Sequence, residues 1–178
     1  LNSATSALHL SCLALGVKKN DIVWTSPISF VASSNCALYC GADIDFVDVN
    51  ASTGLINIKS LKLKLEEAKK NNSLPKVLIP VHLGGSSSDM EQIHLLSKLY
   101  NFQVIEDASH AIGGKYKDNY VGNCKYSSIT VFSFHPVKII TSGEGGIATT
   151  NDKQIAENIQ SLKSHGIVKD PNKFILPS

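Results

Sequence analysis

The residues with the most chemistry to offer lie in four short segments, and each has an ordinary reading beside a reactive one. In Val131-Phe-Ser-Phe-His-Pro-Val-Lys138 a hydrophobic strand runs into a hydroxyl, an imidazole, a helix-breaking proline and one lysine. A lysine carried to the end of a buried strand loses water, which favours the neutral amine and makes it a usable nucleophile. Its ordinary fate is a solvated ammonium on a snorkelling stem. In Val104-Ile-Glu-Asp-Ala-Ser-His110 a second buried strand ends in two carboxylates, Glu106 and Asp107, with His110 just beyond. Such a carboxylate can ligate a metal, pair with a protonated heterocycle nitrogen, or cap the next turn. Asn2-Ser-Ala-Thr-Ser-Ala-Leu8 is a hydroxyl-rich turn opening a helix. Its free N–H groups and dipole suit a phosphate, although taken alone a plain N-cap explains it. Thr141-Ser-Gly-Glu-Gly-Gly146 is a flexible turn and by itself merely a loop.

Composition narrows the chemistry. The chain has 178 residues, enough for one domain with a real core, and a net charge of +2. Its 17 basic residues are all lysine and are scattered, so no basic stripe points to nucleic acid or a membrane surface. Without arginine, any phosphate or carboxylate must be held by lysine, hydroxyls or backbone N–H groups. No strand-linked G-x-G-x-x-G or G-x-x-x-x-G-K-[ST] is present, and the histidines at 9, 82, 94, 110, 135 and 165 form no H-E-x-x-H. Cys36 and Cys40 fall one helical turn apart, but no second close pair completes a zinc set. Free thiols in a reducing cytoplasm are the expectation, with no metal site. No apolar run approaches the roughly 20 residues of a membrane span, and no signal peptide is visible.

The elements that must position these residues alternate. Helical spacing runs from Thr5 to Leu15, stopped by Gly16, and Asp21–Thr25 is a short strand. Ser29 is placed to cap a helix reaching Gly41, followed by a half-exposed strand over Asp43–Val49. Ile58–Asn71 is an amphipathic helix and Lys76–Pro80 a buried strand. Ser88-Asp89 caps a helix ending at Tyr100, before the strand Phe102–Glu106. Ser128–Phe132 and Ile147–Thr150 are two further strands, and Asn151-Asp152 caps a final helix. Strands and helices in this alternation predict an α/β fold with a mainly parallel sheet covered on both faces. Ligands then sit beyond the carboxyl ends of the strands, where the polar segments cluster.

Taken together the segments resemble the DegT/DnrJ/EryC1/StrS sugar aminotransferases, within the fold type I pyridoxal-phosphate enzymes. The resemblance runs in order along nearly the whole chain. It passes through Asn2–Leu8, Pro27-Ile-Ser-Phe-Val-Ala32, Pro80-Val-His-Leu-Gly84, Glu106-Asp-Ala-Ser-His-Ala111, Phe132-Ser-Phe-His-Pro-Val-Lys138 and Gly143-Glu-Gly-Gly146. Phe134–Lys138 looks most like the branch that aminates a nucleotide-linked 4-keto-6-deoxy hexosamine on the way to pseudaminic acid.

The resemblance implies a three-layer large domain of the aspartate aminotransferase type and pyridoxal 5'-phosphate as cofactor. Lys138 would hold the cofactor as a Schiff base and act as the proton-moving base. Asp107 would pair with the pyridine nitrogen, His110 would lie beside the ring hydroxyl, and Phe30 would stack on the ring. Thr5, the Ala4–Thr5 backbone and Ser133 would cradle the phosphate. The implied substrates are an amino-acid donor, L-glutamate, and a UDP-linked 4-keto sugar aminated at C4; the implied assembly is a homodimer when full length. Some relatives carry His in place of the lysine and are sugar dehydratases, a class against which Lys138 argues; a non-catalytic relic of the fold is the third reading. Relatives are roughly twice this length. Residues 1–178 therefore read as a partial large domain, cut from a longer protein, with a leading segment and a carboxyl-terminal small domain missing.

Overall fold

The polar segments are brought together by six strands lying side by side. The computed structural model describes residues 1–167; the chain end at Phe174–Ser178 lies outside them. In chain order the elements are α1 (Ala4–Ala14), β1 (Ile22–Thr25), α2 (Ala32–Tyr39), β2 (Asp43–Phe46), α3 (Ile58–Lys70), β3 (Val77–Ile79) and α4 (Met90–Tyr100). They continue with β4 (Gln103–Asp107), a two-residue hairpin β5 (Lys115–Tyr116) and β6 (Asn119–Tyr120), then β7 (Ile129–Ser133), β8 (Gly146–Thr149) and α5 (Lys153–Lys163). The main sheet has the order β2-β1-β3-β4-β7-β8. All its pairings are parallel except β7 with β8, where Ser133 faces Gly146 across an antiparallel ladder.

Strand alternation sorts the core into two layers. Val23, Val77, Ile79, Ile105, Ile129 and Val131 face α1, α2 and α5. Trp24, Leu78 and Val104 face the other way, onto Leu61 and Leu65 of α3 and Ile93 and Leu96 of α4. The result is the three-layer, mainly parallel arrangement expected. Leu61 and Leu65 are fully buried, so truncating either to alanine costs about 2–5 kcal/mol.

Helix ends follow their local chemistry. Ser3, in extended backbone, accepts the Ser6 N–H at 3.1 Å to open α1, and Gly16 closes it at φ +72°. Asn57, Asp89 and Asp152 cap α3, α4 and α5 in the same way, each contributing about 1 kcal/mol. Lys69 and Lys70 in the last turn of α3 oppose its dipole.

Three expectations change. Ser29 does not cap α2: the helix opens at Val31 with no side-chain cap, and the Ser29 hydroxyl instead pairs with that of Ser33 at 2.8 Å. The strand beginning at Asp43 stops at Phe46, because the chain leaves the sheet edge for an antiparallel Val49–Ile56 bridge closed by the Asn50–Gly54 turn. The β5–β6 hairpin is new; two residues per strand are too few to show alternation in sequence. The four cysteines are free, with Cys12, Cys36 and Cys124 buried. No described helix is long and apolar enough to cross a membrane.

Candidate active site

The seven residues to which the family resemblance gives roles line one cavity of about 450 Å³. Ala4, Thr5, Phe30, Asp107, His110, Ser133 and Lys138 all contribute to its wall. The cavity sits where the carboxyl ends of β4 and β7 meet the amino end of α1, the place such sheets reserve for ligands.

Asp107 is the best-braced group there. It is 4% exposed and shares its sheet face with Ile105. Its Oδ2 accepts the Ser33 hydroxyl at 2.6 Å. Its Oδ1 accepts the Ser109 hydroxyl at 2.6 Å and the Ser109 N–H at 3.1 Å. Those three donors leave a lone pair on Oδ2 for a fourth from the cavity. Glu106, one residue earlier, necessarily points to the opposite face. Of the two strand-end carboxylates only Asp107 reaches the cavity, and Glu106 pairs with buried His82 at 2.8 Å instead.

The opposite wall is the start of α1. Ser6 N–H is satisfied by Ser3, but the N–H groups of Ala4 and Thr5 have no acceptor among the described residues. With the helix dipole behind them they favour an anion. Ser133 ends β7 beside them, and its oxygen only receives the His135 N–H, at 3.4 Å. Gly146 makes this approach possible: a Cβ there would lie 2.4 Å from the Ser3 carbonyl carbon. The Gly146 N–H donates to Leu1 O at 3.0 Å, and the Leu1 amine returns a bond to Gly146 O at 2.9 Å.

Lys138 stands in less regular surroundings than a strand end. It follows β7 in a turn, where its N–H donates to His135 O at 2.9 Å. The residue is half-buried, not fully desolvated as expected, because Pro136 and Val137 carry the chain out from the sheet before the lysine turns back. His110 lies on the third wall, and its Nδ1 accepts the Gly84 N–H at 3.3 Å. That bond leaves the ring proton on Nε2. Partial burial and the Lys138 charge lower its pKa, against a smaller opposing pull from Asp107. Phe30 stands at the mouth, 71% exposed.

These features fit a phosphorylated pyridine aldehyde. The α1 N–H groups and the Ser133 hydroxyl suit its phosphate without arginine, Asp107 suits a protonated ring nitrogen, and Lys138 suits its aldehyde. Sequence reasoning missed Ser33, Ser109 and the His82–Glu106 pair. A serine in the first turn of a helix carries no local sign that it will meet a strand seventy-four residues away. No described cluster of three or more His, Cys, Asp or Glu side chains could hold a metal ion.

Comparison with known proteins agrees with this geometry. Residues 1–176 match the model of the DegT/DnrJ/EryC1/StrS aminotransferase family. Over 169 residues, 95% of the chain, it is 46% identical to a UDP-4-amino-4,6-dideoxy-N-acetyl-beta-L-altrosamine transaminase of Campylobacter jejuni, of which it covers 43%. It superposes on PseC of Helicobacter pylori, an aminotransferase of pseudoaminic acid biosynthesis, with TM-score 0.84 and 33% identity; the match covers 100% of this chain and 46% of that one. It also superposes on ntda from Bacillus subtilis, solved with bound cofactor PMP, with TM-score 0.83 and 30% identity over 99% of this chain and 38% of that one. The chain thus spans under half the length of these relatives, and it belongs to the DegT/DnrJ/EryC1/StrS aminotransferase family.

Proposed function

We propose, from that membership and the cavity, that the protein carrying this chain is a pyridoxal-phosphate-dependent nucleotide-sugar aminotransferase. It moves an amino group from L-glutamate to C4 of a UDP-linked 4-keto-6-deoxy sugar, in the route to a pseudaminic-type surface glycan. The supporting observation is that an amine (Lys138), a buried carboxylate (Asp107) and an unpartnered helix N-terminus (Ala4–Thr5) converge on one cavity.

When bound, pyridoxal phosphate supplies an electron sink for the carbon that bears the transferred nitrogen. Asp107, fixed by Ser33 and Ser109, keeps the ring nitrogen protonated. The Ala4 and Thr5 N–H groups, the Thr5 side chain and the Ser133 hydroxyl hold the phosphate. Lys138 would hold the cofactor's aldehyde through Nζ with loss of water, and its free amine would carry a proton to and from the donor's α carbon. His110 would offer its Nε2–H to the ring hydroxyl, and Phe30 would cover the ring. Exposed Phe30 and Val137 line the cavity, and their chain neighbours Ile28, Val31, Ile139 and Ile140 are exposed as well. So much apolar surface around a polar site suits contact with a second subunit, and we assign the protein as a homodimer.

The test is turnover. The full-length protein, given L-glutamate and a panel of UDP-linked 4-keto-6-deoxy N-acetylhexosamines, should yield 4-amino sugars and 2-oxoglutarate. Loss of water from the sugar without amination would mark it as a dehydratase, and failure to bind pyridoxal phosphate would mark it as a relic.

A further inference from the structure

The pair His82 and Glu106 has no part in the chemistry above, yet both side chains are buried, the residues being 0% and 5% exposed. We propose that His82 is a positioning residue: its neutral imidazole straps the Val81–Ser88 loop so that Gly84 N–H meets His110 Nδ1 and fixes the proton of His110 on Nε2. The proposal rests on the cavity being the site described above, and it extends to a residue outside the cavity wall.

Both ring nitrogens of His82 are committed. Its Nδ1 accepts the Ser88 N–H at 3.2 Å. The proton therefore sits on Nε2, which donates to Glu106 Oε2 at 2.8 Å. The other carboxylate oxygen accepts the hydroxyls of Ser127 and Thr130. Burial pushes the Glu106 carboxyl up, but the His82 hydrogen bond, the charge His82 carries when protonated, and those hydroxyls outweigh it and hold the group below its ordinary value. An ionised Glu106 is the partner an Nε2–H imidazole requires.

The loop depends on this strap. No residue from Leu83 to Ser87 is buried, whereas His82 and Ser88 at its two ends are. Between those anchors the chain turns through left-handed backbone at Gly84 (φ 61°) and Gly85 (φ 89°). It presses against the second strand end so closely that a Cβ on Gly85 would lie 2.9 Å from His110 O. Ser88 adds its own hydroxyl, donated to Val81 O at 3.3 Å. The His82 backbone is zipped to Asp107 as well: its N–H donates to Asp107 O at 3.0 Å. One buried imidazole thus ties the loop that addresses His110 to the strand that carries Asp107.

Two substitutions divide the ring's two bonds. In His82→Asn the amide oxygen can replace Nδ1 as acceptor for Ser88. In His82→Gln the amide nitrogen can replace Nε2 as donor to Glu106, but nothing accepts the Ser88 N–H. The full-length protein, with histidine labelled by ¹⁵N and His110 assigned through His110→Gln, gives the tautomer of each ring by NMR at neutral pH, with or without cofactor. The wild type and His82→Asn should show His110 protonated on Nε2. His82→Gln should show a mixture of tautomers, with kcat down about tenfold and KM nearly unchanged. The wild-type spectrum alone overturns the proposal if His82 or His110 carries its proton on Nδ1. An unaltered His110 signal in folded His82→Gln, or equal effects of the two variants, reduces the pair to a core brace and overturns it too. Because the tautomer is read without turnover, a failed aminotransferase assay beside the expected spectra counts against the proposed function and not against the strap.

Discussion

The cavity has one wall built by the sheet and one built by a loop, and the two are held in different ways. Asp107 and Ser133 end strands, are no more than 6% exposed, and sit in ladder and side-chain bonds. Lys138 rides on a loop whose neighbours Val137 and Ile139 are 78% and 70% exposed. That loop is pinned mainly at Phe134, whose N–H donates to Gly145 O and whose carbonyl accepts from Ser142 N–H and the Thr141 hydroxyl. The group proposed to tune the electronics is thus prebuilt by the core, whereas the group proposed to bond and release the cofactor is held by a local hydrogen-bonded turn. Local openings cost less where few apolar contacts must break, so the amine has the freedom that bonding and release require.

The comparison can be broken first at Lys138. Lys138→Ala should abolish turnover, while thermal stability moves little, by about 0.5 kcal/mol or less for a half-exposed side chain. Unfolding of that variant would show the loop to be part of the core after all. Asp107→Asn should cost about a thousandfold in kcat, several kcal/mol of barrier, with cofactor affinity much less affected. Asn still bonds its neighbours but cannot keep the ring nitrogen protonated; near-normal turnover would remove Asp107 from the mechanism.

At the seam between the two walls, Gly146→Ala forces a methyl within 2.4 Å of the Ser3 backbone. Overpacking of this kind costs about 1–3 kcal/mol. Because the displaced atoms belong to the α1 start, cofactor affinity measured by absorbance titration should fall together with melting temperature. A loss of stability with unchanged affinity would separate the helix N-terminus from the phosphate.

How much of this could be read from the residues alone divides along the same line. The strands of the main sheet, most caps and the seven candidate residues on the wall followed from local chemistry and from family resemblance, because strand ends in a parallel sheet have one place to go. The bracing did not. Ser33 reads as a mid-helix serine and Glu106 as a second candidate beside Asp107, until the pleat sends them to opposite faces. The half-buried state of Lys138 was missed because a hydrophobic strand before it said nothing about the path after Pro136.

The smallest effect concerns the sheet side and pH. The folded state holds the Glu106 carboxyl below its ordinary 4.5. Its contribution to stability is therefore complete above that value and lost as pH falls through the lower, folded-state value. Glu106→Gln should flatten the acid limb of the stability curve relative to the wild type, as followed by circular dichroism melts across that range. A limb of unchanged slope would show that other carboxylates carry it.

Lys138 is proposed as the amine that bonds pyridoxal phosphate. Borohydride reduction of the full-length protein loaded with cofactor, followed by peptide mass mapping, reads this directly. A single pyridoxyl label on Lys138 is expected; a label on any other of the 17 basic residues, all of them lysine, would overturn the assignment.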